Sequence, residues 1–195
     1  MKRKSVLCLA SLSAALTLPA AASFHLFEIR EIYSNGDGSV QFIELFTSVG
    51  SQQFLAGHTL VFETNVGTVN TLNLGNLPSD TTNKTFLVAT PNFNSLFGIT
   101  PDFTIPANFF SAGANNFINF AGGTDRVNLG SLPVNGTSSL NGTLGNHTPT
   151  VTSINSQATA TNFAGQTVTV PEPNSALLAL AALGAACFRR RRGAR

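Results

Sequence analysis

The residues of this 195-residue chain with reactive side chains are three histidines, a scatter of serines and a small set of carboxylates. His25, His58 and His147 are far apart, and no two stand at metal-ligand spacing. His58 follows Gly57 at the start of a strand-like run, where a lone imidazole is more often packed or hydrogen-bonded than catalytic. A serine nucleophile needs a base and an orienting acid, and the chain has no Gly-x-Ser-x-Gly elbow. The carboxylates offer more. Glu31 and Glu44 flank the turn-rich stretch Ser34-Asn35-Gly36-Asp37-Gly38-Ser39. A hairpin turning at Asp37-Gly38 sets them opposite each other, whereas one turning at Asn35-Gly36 pairs Ile29 with Phe42. Two facing carboxylates could act as general acid and base or hold Ca²⁺. The simpler expectation places both on the solvent face, with Arg30 or Lys84 nearby. Asn35-Gly36-Asp37-Gly38 has the start of a calcium loop. It lacks the further acids and terminal glutamate, so it reads as a hairpin turn. Glu31, Glu44 and Asp37 are therefore weak metal candidates, and no cofactor is expected.

The elements that must position these groups are short strands. Residues 24–33 and 40–46 are rich in β-branched and aromatic residues, and comparable runs follow at 58–64, 66–74, 85–90, 116–120, 125–129 and 166–170. Gly, Pro, Asn and Asp separate them. Only residues 92–97, after Pro91, suit a helical turn or two. Many short strands with regular turn signals predict an all-β sandwich or barrel. Sixteen phenylalanines and no tryptophan predict a Phe-filled core. Its expected members are Phe27, Ile29, Phe42, Leu45, Leu60, Phe62, Phe86, Val88, Phe117, Phe120, Val127 and Leu129. Leu72-Asn73-Leu74-Gly75-Asn76-Leu77-Pro78 echoes Val127-Asn128-Leu129-Gly130-Ser131-Leu132-Pro133, which predicts two similar strand exits at one end of the fold. Residues 135–162 are rich in Asn, Thr, Ser and Gly, and suit an irregular loop, a weak edge hairpin or a stalk.

Both ends differ from this body. Lys2-Arg3-Lys4, a mostly apolar run to Leu18, and Ala20-Ala21-Ala22 have the order of a signal peptide spanning residues 1–22. Ala20 and Ala22 supply the small-x-small cleavage pattern, and the Sec machinery and signal peptidase follow as partners. At the other end, residues 171–195 begin Pro171-Glu172-Pro173, continue through an apolar run at 176–188 and finish in a basic tail, 189–195, that opens with Arg189-Arg190-Arg191-Arg192. Thirteen apolar residues make a helix of about 20 Å, short of the ~30 Å hydrocarbon core. The arginines would hold the C-terminus in the cytoplasm and leave the body outside.

Charge divides the same way. The whole chain carries +2, but residues 23–170 hold only Arg30, Lys84 and Arg126 against eight acids, a net −5. An acidic body with few cations is poorly suited to nucleic acid. Cys8 and Cys187 both lie in the ends, so the body holds neither a disulfide nor a thiolate metal site.

The tail resembles the PEP-CTERM sorting signal, in Pro171-Glu172-Pro173, the short apolar segment and the terminal arginines. The resemblance implies an exosortase-type membrane protease as partner, cleavage near Pro171-Glu172-Pro173, and passage through the inner membrane to the outer surface or extracellular polysaccharide of a Gram-negative bacterium. The body resembles the lamin-tail type of immunoglobulin-like domain. The matching residues are Ile29-Arg30-Glu31-Ile32, Gln41-Phe42-Ile43-Glu44-Leu45 and Leu55-Ala56-Gly57-His58-Thr59-Leu60. Phe42 stands at that pattern's tyrosine and His58 at its tryptophan. This resemblance implies an immunoglobulin-like sandwich acting as a surface or accessory module.

The expectation is an exported, non-enzymatic structural or interaction protein that binds, if anything, polysaccharide or other surface proteins. The alternatives are a secreted hydrolase using His58 or the Glu31/Glu44 pair, and a calcium-dependent adhesion module.

Overall fold

Alternating apolar residues broken by Gly, Asn and Pro produce short strands that pair locally, and almost no helix. The computed structural model describes residues 26–145 and 152–171. In chain order these form β1 (Glu28–Ser34), β2 (Gln41–Thr47), β3 (Thr59–Thr64), β4 (Gly67–Asn73), β5 (Lys84–Ala89), α1 (Asn92–Phe97), β6 (Phe103–Thr104), β7 (Phe117–Phe120), β8 (Asp125–Asn128), β9 (Ser139–Gly142), β10 (Thr152–Asn155), β11 (Thr159–Thr161) and β12 (Thr167–Thr169). One sheet has the order β10-β9-β1-β2-β5-β6 and a second the order β4-β3-β7-β8; β11 and β12 form a separate hairpin. The protein is thus all-β and sandwich-like.

The two larger sheets enclose the main core, which includes Phe27, Ile29, Ile43, Leu60, Phe86 and Phe120. Phe86 meets Phe27 edge-on at 4.8 Å between ring centres and Phe103 at 5.6 Å. A third layer covers the other face of the first sheet. There Tyr33, Phe42, Leu87 and Ala89 pack against Phe93 of α1 and against Ala158, Ala160 and Val170 around the β11–β12 hairpin. The centre of the first sheet is consequently buried on both faces, and β2 and β5 are buried at nearly every position, polar Gln41 and Glu44 included.

Three sequence expectations change. Phe42 is buried, but in the outer layer and not between the sheets. Phe117 is only half-buried and lies under the Arg126 guanidinium at 3.6 Å, while its neighbour Ile118 fills the core. The echoing segments leave β4 and β8, the two edges of the second sheet, and these edges run antiparallel. They therefore exit at opposite ends, although Leu74, Leu77, Leu129 and Leu132 all reach the same core.

Within this Asn- and Thr-rich stretch, the described residues 135–145 and 152–162 contribute three strands. β9 lies beside β1, β10 forms the sheet edge, and β11 joins the outer layer. The predicted helical turn is α1, closed by Gly98 in the left-handed conformation at φ 75°. The signal peptide with Ala20 and Ala22, His25, His147, and the tail with Glu172, Pro173, the apolar segment and Arg189 to Arg192 lie outside the described residues. Among the described residues no helix is long and apolar enough to cross a membrane.

Candidate functional site

The turn at Asp37-Gly38 decides where the two glutamates go, since the pairing runs unbroken from Ser34 with Gln41 to Glu31 with Glu44. In β1 the register with β2 shifts between Ile29 and Glu31, leaving Arg30 as the extra residue. The shift lets Ile29 face the main core together with Ile32, while Glu31 stays on the outer face with Tyr33. Ile29 then pairs with Leu45, and Glu31 pairs directly with Glu44. The turn supports this register: the Asn35 N–H donates to the Val40 carbonyl at 3.0 Å, and Asp37 Oδ1 accepts from the backbone N–H and hydroxyl of Ser39. Asp37 is thereby spent on the turn, and its hydrogen bonds from Ser39 hold its carboxyl below the ordinary range.

Glu31 and Glu44 are not on a solvent face. They are 3% and 2% exposed, beneath the β11–β12 hairpin. Glu31 accepts the Thr159 N–H at 2.7 Å and the Thr159 hydroxyl at 3.1 Å. Glu44 accepts the Thr161 N–H at 2.5 Å, and its other oxygen lies 3.5 Å from the half-exposed Arg30 guanidinium. Asp102 extends the series by accepting the Phe163 N–H at 2.9 Å and the Leu87 N–H at 2.8 Å. Residues 159, 161 and 163 point their N–H groups to the side of β11 opposite β12. Three carboxylates thus satisfy donors that a neighbouring strand would otherwise take.

Burial sets the protonation of these acids. It pushes Glu44 up to about 7, opposed by the Thr161 amide and Arg30 and reinforced by the facing Glu31. Burial likewise raises Glu31 and Asp102, against hydrogen bonds that favour their charged forms. Lys84, from the other central strand, lies 5.6 Å from the Phe163 ring centre and completes the charged surroundings of the hairpin.

Asp125, buried like the two glutamates, accepts the Ile29 N–H at 2.6 Å and so links β8 to β1 across the sandwich. Neither Asp102 nor Asp125 is distinguished in the sequence, because their partners are backbone amides and amides carry no residue signature. His58 is half-buried in the approach to β3, with its backbone bonded to Leu55 and Leu74. It is remote in the fold from the glutamates, which lie on the outer face of the other sheet. A groove of about 300 Å³ is lined by Leu26, Glu28, Phe46, Thr47, Ser48, Leu144 and Gly145, and neither His58 nor the Glu31/Glu44 pair takes part in it. Among the described residues no group of three His, Cys, Asp or Glu is placed to hold a metal ion.

The hairpin leads directly to the end of the described chain. Val170 is buried, its N–H bonded to the Ala158 carbonyl at 2.9 Å, and Pro171 beside it is exposed. The match to known families starts inside this hairpin. Residues 169–192 carry the PEP-CTERM protein-sorting motif. The PEP-CTERM motif is recognised by exosortase, a membrane-associated processing enzyme, and implies export to the cell envelope or surface. No curated protein and no solved structure matches the chain.

Proposed function

We propose that the chain is a non-enzymatic surface or extracellular-matrix protein, whose β-body is released from an inner-membrane intermediate when an exosortase-type protease cuts at Pro171-Glu172-Pro173. The observation that carries this reading is the PEP-CTERM match beginning at Thr169, the last residue of β12, so that the sorting signal continues the folded body without a spacer. In this reading residues 1–22 direct Sec export with cleavage at Ala20–Ala22, Arg189 to Arg192 stop transfer, and the body is a lamin-tail-type immunoglobulin-like module that binds polysaccharide or other surface proteins. The placement of the acids supports a structural role. Glu31, Glu44 and Asp102 are occupied with backbone amides, and Asp37 with Ser39. The three body cations are engaged as well: Arg30 with Glu44, Arg126 with Glu63, and Lys84 over Phe163.

Mass spectrometry of the mature protein from its host tests the proposal. The expected species begins near Ser23 and ends at or beside Pro171-Glu172-Pro173. A species that retains the arginines after Phe188 would overturn it.

A further inference from the structure

We propose that the β11–β12 hairpin is a releasable strap, and that letting go of Glu31, Glu44 and Asp102 lengthens the tether between the folded body and the sorting motif. This rests on the exosortase reading for its purpose, but the strap itself rests on geometry. While the hairpin is docked, Val170 is fixed in the outer layer. Only Glu172, Pro173, Asn174 and Ser175 separate Pro171 from the apolar run. Fully extended, that connection reaches at most about 17 Å, so a docked hairpin keeps the apolar run within that reach of the body. A protease needs extended chain on both sides of its cleavage site. Undocking Ala158 to Val170 frees thirteen further residues, roughly 45 Å of extended chain.

The strap's attachment is suited to release. Its buried side chains in the outer layer are small, Ala158, Ala160 and Val170; two larger anchors hold it as well, Asn162 on the Thr100 carbonyl and Phe163, which reaches the main core. Most of its specificity comes from the N–H groups of Thr159, Thr161 and Phe163 on three carboxylates. Segments held mainly by small side chains and a few hydrogen bonds open at lower cost than core strands, and here Phe163 is the one large side chain that has to leave. The facing carboxylates add a lever. Glu31 and Glu44 are directly opposed, with Arg30 as the cation beside them, Asp102 further along and Lys84 over Phe163. α1, β9, β11 and β12 contribute no titratable side chain. When both carboxylates are charged, two buried negative charges face each other, and undocking relieves them. Glu44→Gln removes that repulsion. Its amide oxygen still accepts from Thr161, and its nitrogen can donate to Glu31.

Hydrogen exchange of the full chain in detergent micelles, read by mass spectrometry, tests release. We expect residues 158–170 to exchange at least ~10-fold faster than β5 and β7 at pH 8. That ratio should narrow at pH 6 and narrow in Glu44→Gln. Equal protection of the hairpin, β5 and β7 at both pH values overturns the strap. Cleavage in the host tests its purpose. Glu44→Gln should be cut several-fold more slowly than wild type, and Glu44→Ala, which loosens the hairpin, at least as fast as wild type. Equal cutting of all three overturns the tether while leaving the sorting reading intact. A wild-type chain that is never cut removes the sorting reading and the tether's purpose together, and the exchange result then decides the strap alone.

Discussion

Glu44 is the residue whose replacement separates acceptor from charge. Glu44→Ala strands the Thr161 N–H beside a sheet face, which should cost about 1–3 kcal/mol, measurable as a lowered urea midpoint. Glu44→Gln keeps an acceptor and should be stabilising at pH 8. The sign follows from proton binding. Glu44 is raised to about 7, and Glu31 and Asp102 are raised as well. The folded state therefore holds more protons than the unfolded chain above the ordinary carboxylate range. Their contribution is complete below that range and is lost as pH rises through about 7. Asp80 works on the acid side: hydrogen bonds from Thr82 and Ser51 lower it to about 2. Its contribution is present above the ordinary aspartate range and is lost as pH falls toward 2. The melting temperature should accordingly be highest near about pH 5 and fall by a few degrees toward pH 8, with a smaller fall in Glu44→Gln. A melting temperature that rises steadily from pH 5 to pH 8 would contradict this assignment. Asp37 yields a separate expectation. Because Ser39 occupies its carboxylate, millimolar Ca²⁺ should leave the melting temperature unchanged, and a clear upward shift would restore the adhesion alternative.

At the scale of elements, the β1–β2 connection is the most sharply constrained. Gly38 has φ 69°, and a Cβ built there would lie 2.1 Å from Asn108 Oδ1. Gly38→Ala should destabilise by roughly 1–3 kcal/mol through backbone strain and displacement of Asn108, again read from the urea midpoint. Loss of less than a few tenths would mean that the turn relaxes freely. This hairpin was legible in the sequence because its turn residues and alternation are both local. Its register was legible only as a choice between two turn positions, and the bulge at Arg30, which resets Ile29 against Leu45, is announced by no local pattern. The strand β7 shows a related limit. Four residues, Phe117–Phe120, fit either phase of an alternating pattern, and the larger Phe117 ring took the outside under Arg126 while Ile118 took the core. The outer layer was the least legible element. Ala158 and Ala160 sit in a stretch whose composition resembles a loop, whereas Val170 ends a run that does read as a strand; small side chains are what allow the hairpin to lie close on a sheet. What holds it, backbone N–H on buried carboxylate, is invisible to residue patterns. Buried Glu31 and Glu44 were consequently expected at the surface.

For the whole molecule, the sorting motif was legible for the opposite reason. It is read by an enzyme as a linear order of residue types, so composition alone reveals it, and residues 169–192 match. That order also places most of the positive charge in segments expected to be removed, which gives a measurable consequence. A chain that has lost residues 1–22 but keeps the tail carries eight Lys and Arg against nine acids, a net −1. One cut after Pro173 carries three against nine, a net −6. The two forms differ by five charges while sharing the same folded body, so isoelectric focusing separates them without reference to activity. The mature protein from its host should focus well below neutral pH, in contrast to the sequence value of 8.8 for the whole chain. Glu172→Ala or Pro173→Ala, which alter the motif and leave the described β-strands untouched, should shift the population to the −1 form (or to neutral for the glutamate change) and retain it at the membrane. If such variants focus as fully processed protein, recognition does not run through Pro171-Glu172-Pro173. The determinant would then have to lie in the apolar and basic segments, and a body tethered close to the membrane would be processed from the far side of the motif.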